Sequence, residues 1–242
     1  ALLPMVDAVD PATRTEYFEQ LAEWRKDSEG TSWHGSGAWR DGHLSADFVI
    51  SRIGELTGHD ATMVSDVGQN QMWMARYSGY RRPNSHISSG GLGTMGFALP
   101  AAMGAALGRP DKETWAITGD GGFQMTFQEL MTLVQDRIPV KIALLDNKKL
   151  GMIRQWQEIV YAGNYHSSHL PGPDFCKLAD AYGMPSWKAS QPEDVDAAIR
   201  AAQAVDGPAL IWFEIEQEQN VYPMMPAGKG LSDLIETWGG PE

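Results

Sequence analysis

The sequence predicts an α/β domain, a mostly parallel sheet flanked by helices on both faces. Three observations predict it. Strand-like apolar runs alternate with helical patterns from residue 45 to residue 216. One of those runs, Lys141-Ile142-Ala143-Leu144-Leu145, has no polar alternation in its apolar part, the mark of a strand covered on both sides. A glycine-rich turn, Gly119-Asp120-Gly121-Gly122, stands between an apolar strand and a patterned segment.

In chain order, residues 12–28 read as an amphipathic helix, with Tyr17, Phe18, Leu21 and Trp24 recurring at helical spacing. A lone helix cannot bury its own apolar stripe, so this segment needs a packing partner. Glu29 to Gly42 has no periodicity and reads as a connection. A helix over about Asp47–Leu56 is opened by Ser45 as a cap and closed by Gly58. Strands are predicted at Ala61–Val67, Glu113–Thr118, Val140–Asp146 and Ala209–Glu216, with a weaker one at Ser186–Ala189. Helices are predicted at Phe97–Leu107, Phe123–Gln135, Gly151–Val160, Phe175–Tyr182 and Pro192–Ala204. Gln217 to Glu242 carries three prolines and four glycines and reads as an extended tail.

The 242 residues carry 19 Lys and Arg against 31 Asp and Glu, a formal charge of −12. That sign repels phosphate backbones and anionic lipid heads, which argues against nucleic-acid and membrane partners. No apolar run reaches the roughly 18–20 residues that span a bilayer. The richest, Gly96 to Leu107, is broken by Pro100. The single cysteine, Cys176, cannot close an intrachain disulfide, which fits a reducing compartment. The start, Ala1-Leu2-Leu3-Pro4, lacks the basic and apolar regions of a signal peptide. The expected location is the cytoplasm, or an organelle stroma or matrix after removal of a transit peptide.

The turn at Gly119–Gly122 is the sharpest local feature. Asp-Gly is a favoured hairpin turn, and Phe123, Met125 and Phe127 alternate as a strand would. Beyond them the alternation fails, and Phe123, Phe127, Leu130, Met131 and Val134 fit one helical face, which favours strand–turn–helix. In that arrangement Gly121 and Gly122 let backbone approach a ligand, and free N–H groups face an anion. A helix from Phe123 to Gln135 runs roughly 20 Å, and the strand from Val140 to Asp146 returns roughly 23 Å. Asp146-Asn147 should therefore lie beside Asp120 at the carboxyl edge of the sheet, where open α/β folds bind ligands. A carboxylate and an amide oxygen are hard donors that suit Mg²⁺, and a carboxylate close to ligand phosphates needs a cation between them.

Gly119-Asp120-Gly121, followed after residues 122–145 by Asp146-Asn147, resembles the thiamine-diphosphate motif of the pyruvate-decarboxylase and acetolactate-synthase group. The first Asn of that motif is Asp146 here; the second, the metal ligand in the family, is present as Asn147. The resemblance implies the thiamine-diphosphate-binding fold, with Mg²⁺ held by Asp120, Asn147 and the Lys149 backbone carbonyl. It extends from about His43 to Leu234 and is closest to acetolactate synthase catalytic subunits.

Ser88 to Phe97 reads by itself as a glycine-rich loop before a helix. It is similar to the family's cofactor loop, which implies that the Gly93 backbone meets the aminopyrimidine and Met95 bends the cofactor. Val67-Gly68-Gln69-Asn70-Gln71-Met72-Trp73 is similar to the first diphosphate-binding turn, with Asn70 where many synthases have His. The resemblance thus implies cofactor contacts at Gln69, Asn70, Gly93, Met95, Gly119, Asp120, Gly121, Gly122, Met125 and Asn147. Leu150 to Gln157 resembles the helix over the synthase active site. Met152 and Trp156, at i and i+4, make either a core stripe or, by resemblance, the pocket for the second substrate. The tail, with Gln219 to Pro226 and Gly228-Lys229-Gly230, is similar to the segment that folds over the synthase site.

The resemblance divides the chain into a remnant of a preceding middle domain and linker (1–42), a thiamine-diphosphate and Mg²⁺ domain (43–216) and a tail (217–242). It implies a synthase that decarboxylates pyruvate and condenses the product with a second 2-keto acid such as 2-ketobutyrate, for branched-chain amino-acid biosynthesis. A homo-oligomer, a regulatory subunit and FAD on the middle domain are implied for the intact enzyme. The Glu that activates the cofactor is expected on a domain outside this chain, so the chain alone is expected to be inactive. Another carboligase or decarboxylase of the superfamily, or a stand-alone cofactor-binding module, are the alternatives.

Other candidates are weaker. His166 and His169 lie in a polar loop without acidic partners, and Cys176 has no neighbouring base, which makes it a packing residue. No P-loop is present, and Gly90-Gly91-Leu92-Gly93 lacks a dinucleotide fingerprint.

Overall fold

The computed structural model describes residues 14–29, 39–40, 43–225 and 228–236. Most of the connection predicted between Glu29 and Gly42 lies outside these residues. The chain divides into two units, residues 1–36 and 37–242. The first contains helix α1 (Thr15–Glu29), on which Tyr17, Phe18 and Trp24 are all more than half exposed.

The second unit begins with a short antiparallel pair, β1 (Trp39–Arg40) and β2 (His43–Leu44). Then follow α2 (Ala46–Leu56), β3 (Thr62–Ser65), α3 (Gln69–Tyr77), β4 (His86–Ser88), α4 (Ala98–Gly108), β5 (Thr114–Gly119) and α5 (Asp120–Thr126). A 3₁₀ turn at Phe127–Glu129 leads into α6 (Leu130–Gln135). The rest is β6 (Val140–Asp146), α7 (Gly151–Val160), α8 (Phe175–Ala181), β7 (Ser186–Ala189), α9 (Pro192–Gln203) and β8 (Ala209–Glu214). Six strands form one sheet in the order β4-β3-β5-β6-β8-β7, and every neighbouring pair is parallel.

Both faces of the sheet are covered, which explains the lack of polar alternation in its central strands. Trp115, Ile117, Ala143, Leu145, Ile211 and Phe213 face α2, α3 and α9, meeting Ile50, Ile53, Trp73 and Ile199. The intervening residues Ala116, Ile142, Leu144, Leu210 and Trp212 face the other layer, with Leu99, Phe123, Leu133 and Phe175. The period-2 division between the two clusters is the pleat itself. Lys141, buried in β6, ends its stem on the carbonyls of Val205 (2.8 Å) and Gly207 (2.7 Å), so its ammonium is satisfied without breaking the core.

From β3 the chain steps one way to β4 and then back across to β5. The sheet therefore has its switch point between β3 and β5, where the carboxyl ends of two strands diverge and leave a crevice.

Three elements differ from the sequence reading. The helix predicted from Phe123 begins at Asp120 and is broken, because Thr126 leaves helical backbone (φ −137°) and its hydroxyl donates to the Gly96 carbonyl (3.1 Å). As expected, the turn before it is strand–turn–helix and not a hairpin: Gly119 ends β5 and Asp120 starts α5. Helix α3 and strand β4 were not predicted. The two are only nine and three residues long, the first turn of α3 is polar, and β4 is an edge strand, so neither shows a clear period. Ser45 occupies the N-cap position of α2, but its side chain makes no capping bond to that helix.

Leu144 is fully buried at the centre of the second cluster. Leu144→Ala should lower unfolding free energy by about 2–5 kcal/mol in a urea titration, whereas Leu92→Ala, at 93% exposure, should change it by less than about 0.5 kcal/mol.

Candidate functional site

A cavity of about 290 Å³ opens at the crevice. It is lined by the turn from Val67 to Trp73, by Gly93 and Met95, by Gly119 to Gly122, and by Asn147 and Lys149 to Ile153. Gln69, Asn70, Gly93, Met95, Gly119, Asp120, Gly121, Gly122, Asn147, Lys149 and Met152 are thus brought together from four separate stretches of chain. Two residues expected at the site are not in its lining. Met125 has its Cβ against Gly96, behind the loop, and is 53% exposed. Trp156 lies one turn beyond Met152 on α7, about 6 Å further along the axis, at 37% exposure.

Asp120 sits at the junction of β5 and α5 and is 1% exposed, yet its Oδ2 has no hydrogen-bond partner. Burial, followed by the nearby Asp146 carboxylate, pushes the Asp120 carboxyl up to about 8. Asp146 is itself satisfied, since Oδ1 accepts from the Lys148 N–H (3.0 Å) and Oδ2 from the Trp212 indole N–H (2.9 Å). An acceptor-only side chain serves there because both of its partners are donors. Asn147 turns its Nδ2 to Gln69 Oε1 (3.3 Å), and its Oδ1 accepts from the Lys149 N–H (3.2 Å) with a second lone pair remaining. No N–H of the described residues donates to the Lys149 carbonyl. Lys149's ammonium is paired with Glu218. An orphaned carboxylate oxygen, an amide oxygen and a free carbonyl form an all-oxygen donor set, which fits a hard divalent cation such as Mg²⁺.

A residue the sequence reading passed over organises the loop beside this set. Asp66, 1% exposed at the end of β3, accepts from the N–H groups of Val67 (2.8 Å), Gly96 (3.0 Å) and Ala98 (2.9 Å). It thereby holds the Gly93–Gly96 loop and the start of α4 against the sheet. A Cβ on Gly122 would overlap the Asp66 carboxylate, and one on Gly121 would meet Leu150 Cδ2 at 2.9 Å, so both glycines are needed for close approach. The signal was an acidic residue ending a predicted apolar strand, three residues before Gln69.

Gly68, with φ +132°, turns the chain into α3 so that the N-terminus of this helix lines the cavity, the kind of position at which anions bind. Asn70 Oδ1 is buried without a partner, a second orphan in the lining. The Gln69 side chain is fully engaged inside the protein: Nε2 donates to Gln155 Oε1 and to the Gln219 carbonyl, both at 2.9 Å. Only its backbone is left to meet a ligand.

The described part of the tail does not line the cavity. It runs along α7, where buried Arg154 binds Glu158 (2.9 Å), Glu218 (2.8 Å) and Asn220. His166 and His169 have no acidic cluster around them, and no group of three or more His, Cys, Asp or Glu among the described residues could hold a metal. Burial pushes the Cys176 thiol up, away from reactivity, consistent with packing.

Residues 66–213 match the family model described as thiamine pyrophosphate enzyme, C-terminal TPP binding domain. The chain belongs to that family. Its matched span runs from Asp66 to Phe213 and contains all the residues that line the cavity except Ile215. An acetolactate synthase of Mycobacterium avium is 45% identical over 223 residues, covering 88% of this chain and 36% of that protein. The acetolactate synthase isozyme 2 large subunit of Escherichia coli is 36% identical over 98% of this chain and 42% of its own length. The mitochondrial acetolactate synthase catalytic subunit of Saccharomyces cerevisiae is 36% identical over 92% and 32%. This member of the thiamine pyrophosphate enzyme family thus spans about a third to two fifths of the relatives it matches.

Two outcomes follow from Asp120. Asp120→Asn should weaken Mg²⁺-dependent binding of thiamine diphosphate by more than about tenfold, read by titration calorimetry, since even outer partners of metal ligands contribute that much. Equal affinity would remove Asp120 from the ligand set. The protonated carboxyl also makes the metal compete with a proton, so Mg²⁺ affinity should rise from pH 6 and level off near pH 8. Without metal the sign is opposite: between about pH 4 and pH 8 the folded chain holds a proton that the unfolded chain has lost, and stability falls as pH rises. Urea midpoints in EDTA across that range check this.

Proposed function

We propose that this chain is the thiamine-diphosphate- and Mg²⁺-binding part of an acetolactate synthase, which decarboxylates pyruvate and joins the product to a second 2-keto acid. The observation that carries the reading is the unpartnered Asp120 oxygen, buried in a glycine-lined cavity. The similarity of nearly the whole chain to proteins named acetolactate synthase supports it.

Bound thiamine diphosphate supplies the electron sink for the carbon that loses CO₂. The chain's own residues do the holding. Asp120, Asn147 and the Lys149 carbonyl hold Mg²⁺, which neutralises the diphosphate in a chain whose formal charge is −12. The α3 N-terminus and the Gly119–Gly122 turn approach its oxygens through backbone. Met95, whose Cε lies beside Gly121 in the cavity lining, would bear on the bound cofactor from there. Leu150, Met152 and Ile153 line the apolar wall and exclude water from the reacting carbon. Trp156, exposed on the same helix, meets the acceptor 2-keto acid as the site is completed by residues outside this chain, and those residues bring the activating Glu. The words "large subunit" in the name of the Escherichia coli relative favour a regulatory small subunit as a partner.

The test is an assay of the full-length enzyme with pyruvate, with and without 2-ketobutyrate. Acetohydroxy acids are the expected products; CO₂ release with aldehyde formation alone would instead assign a decarboxylase. Trp156→Leu should lower the preference for 2-ketobutyrate over pyruvate as acceptor by about tenfold, the scale of one lost apolar pocket contact.

A further inference from the structure

A chain of buried amides runs from the C-terminal segment to the metal-ligand side chain. At one end are backbone groups whose donor and acceptor identities are fixed. The Val221 N–H donates to Gln155 Oε1 (2.9 Å), and Gln155 Nε2 donates to the Val221 carbonyl (3.0 Å). This pair admits only one orientation of the Gln155 amide. Gln155 Oε1 then accepts from Gln69 Nε2, and the Gln219 carbonyl accepts from the same nitrogen. Gln69 cannot turn over, because its Oε1 would then face two acceptors. Its Oε1 is left to accept from Asn147 Nδ2. Asn147 is thereby held with its NH₂ on Gln69, which leaves Oδ1, with its second lone pair, as the atom available to the cavity that Asn147 lines.

The relay is dry and closely fitted. Gln155 is 0% exposed, Gln69 and Gln219 are each 4% exposed, and Asn147 is 6% exposed. Gln219 is itself clamped, accepting from the Ala46 N–H (2.9 Å) and donating to Asp47 Oδ1 (2.6 Å). A Cβ on Gly151 would overlap Gln69 Oε1 and come within 2.8 Å of Asn147 Nδ2, so the last link exists only because residue 151 has no side chain. An amide ligand has one face that binds a cation and one that repels it, so its orientation decides affinity.

We propose that Gln155 and Gln69 are positioning residues through which the backbone of residues 219–221 sets the Asn147 amide oxygen toward the cation. The proposal rests on the reading of Asn147 as a metal ligand. In the family, a tail docked on α7 would then be required for tight metal binding even though it contributes no ligand.

A double-mutant cycle on the 242-residue chain tests it, with Mn²⁺ as the probe, titrated by electron paramagnetic resonance in the presence of thiamine diphosphate. Gln69→Leu removes the last link and should weaken Mn²⁺ binding by about tenfold or more. Gln155→Leu should weaken it by a smaller factor, because the Gln219 carbonyl still holds Gln69. Asn147→Asp replaces the amide with a carboxylate whose two oxygens are equivalent, so orientation ceases to matter. In that background neither substitution should weaken Mn²⁺ binding, and Gln69→Leu, which takes an acceptor oxygen away from the new carboxylate, should leave it unchanged or strengthen it, a non-additivity that a purely structural defect would not produce. A Gln69→Leu loss carried over undiminished into Asn147→Asp, or no loss in the first place, would overturn the relay. Gly151→Ala reaches the same contact without touching a relay side chain and should behave as Gln69→Leu does, which keeps the test decisive should that variant not fold. Unchanged Mn²⁺ affinity in Asn147→Ala would instead reject the ligand reading itself.

Discussion

The fold isolates one carboxylate from water and then leaves half of it without a partner. Asp120 enters the first turn of α5 straight from a strand buried as far as Thr118, so its position is set by the sheet and not by its own preferences. Its neighbour Asp146 comes from the next strand and has spent both oxygens on Trp212 and Lys148. Two carboxylates close together in a dry site cannot both ionise cheaply. The alternatives are a proton on Asp120 or a divalent cation beside it, and the surrounding oxygens of Asn147 and Lys149 favour the cation. On the proposed reading, a chain that binds a diphosphate with Lys149 as the single basic residue in the described cavity lining would neutralise it in this way.

The rest of the unit delivers chain segments to that point. The split between β3 and β5 opens the crevice, and the two apolar clusters fix the strands on either side of it. Asp66 extends this rigidity beyond the strands by tying the Gly93–Gly96 loop to the end of β3 through backbone N–H groups. Glycines occur where side chains would collide: Gly122 against Asp66, Gly121 against Leu150, and Gly151 against the Gln69–Asn147 pair. Each of these positions would cost a steric clash in any other residue, so the site is specified as much by missing side chains as by those present.

Much of this was legible in the sequence where one dominant signal was available. Val140–Asp146 and Gly151–Val160 follow from the apolar run Ile142–Leu145 and from a strong helical period, and their limits agree with the structure. The strand–turn–helix at Gly119–Asp120 followed from the point where alternation fails. Helix α3 and β4 were missed because the first turn of α3 is polar and β4 is an edge strand of three residues, too short for any period to emerge. The break at Phe127–Glu129 depends on a hydroxyl of Thr126 finding the carbonyl of Gly96, 30 residues away, which local pattern cannot reveal. Met125 and Trp156 illustrate the converse. The resemblance implied contacts for them, but their positions on α5 and α7 leave them out of the lining of the cavity formed by the described residues.

The sequence by itself determined the layering, the strand and helix types and the proximity of Asp120 to Asn147, because these depend on local periodicity and on element lengths that cancel. Only the tertiary structure decided what Asp66, Gln69 and Gln155 do, and which face of Asn147 meets the cavity. A side-chain amide has no orientation of its own. Its oxygen and nitrogen are distinguished by partners, and here those partners lie 66 to 150 residues apart along the chain or hang on backbone groups of a segment with no regular structure.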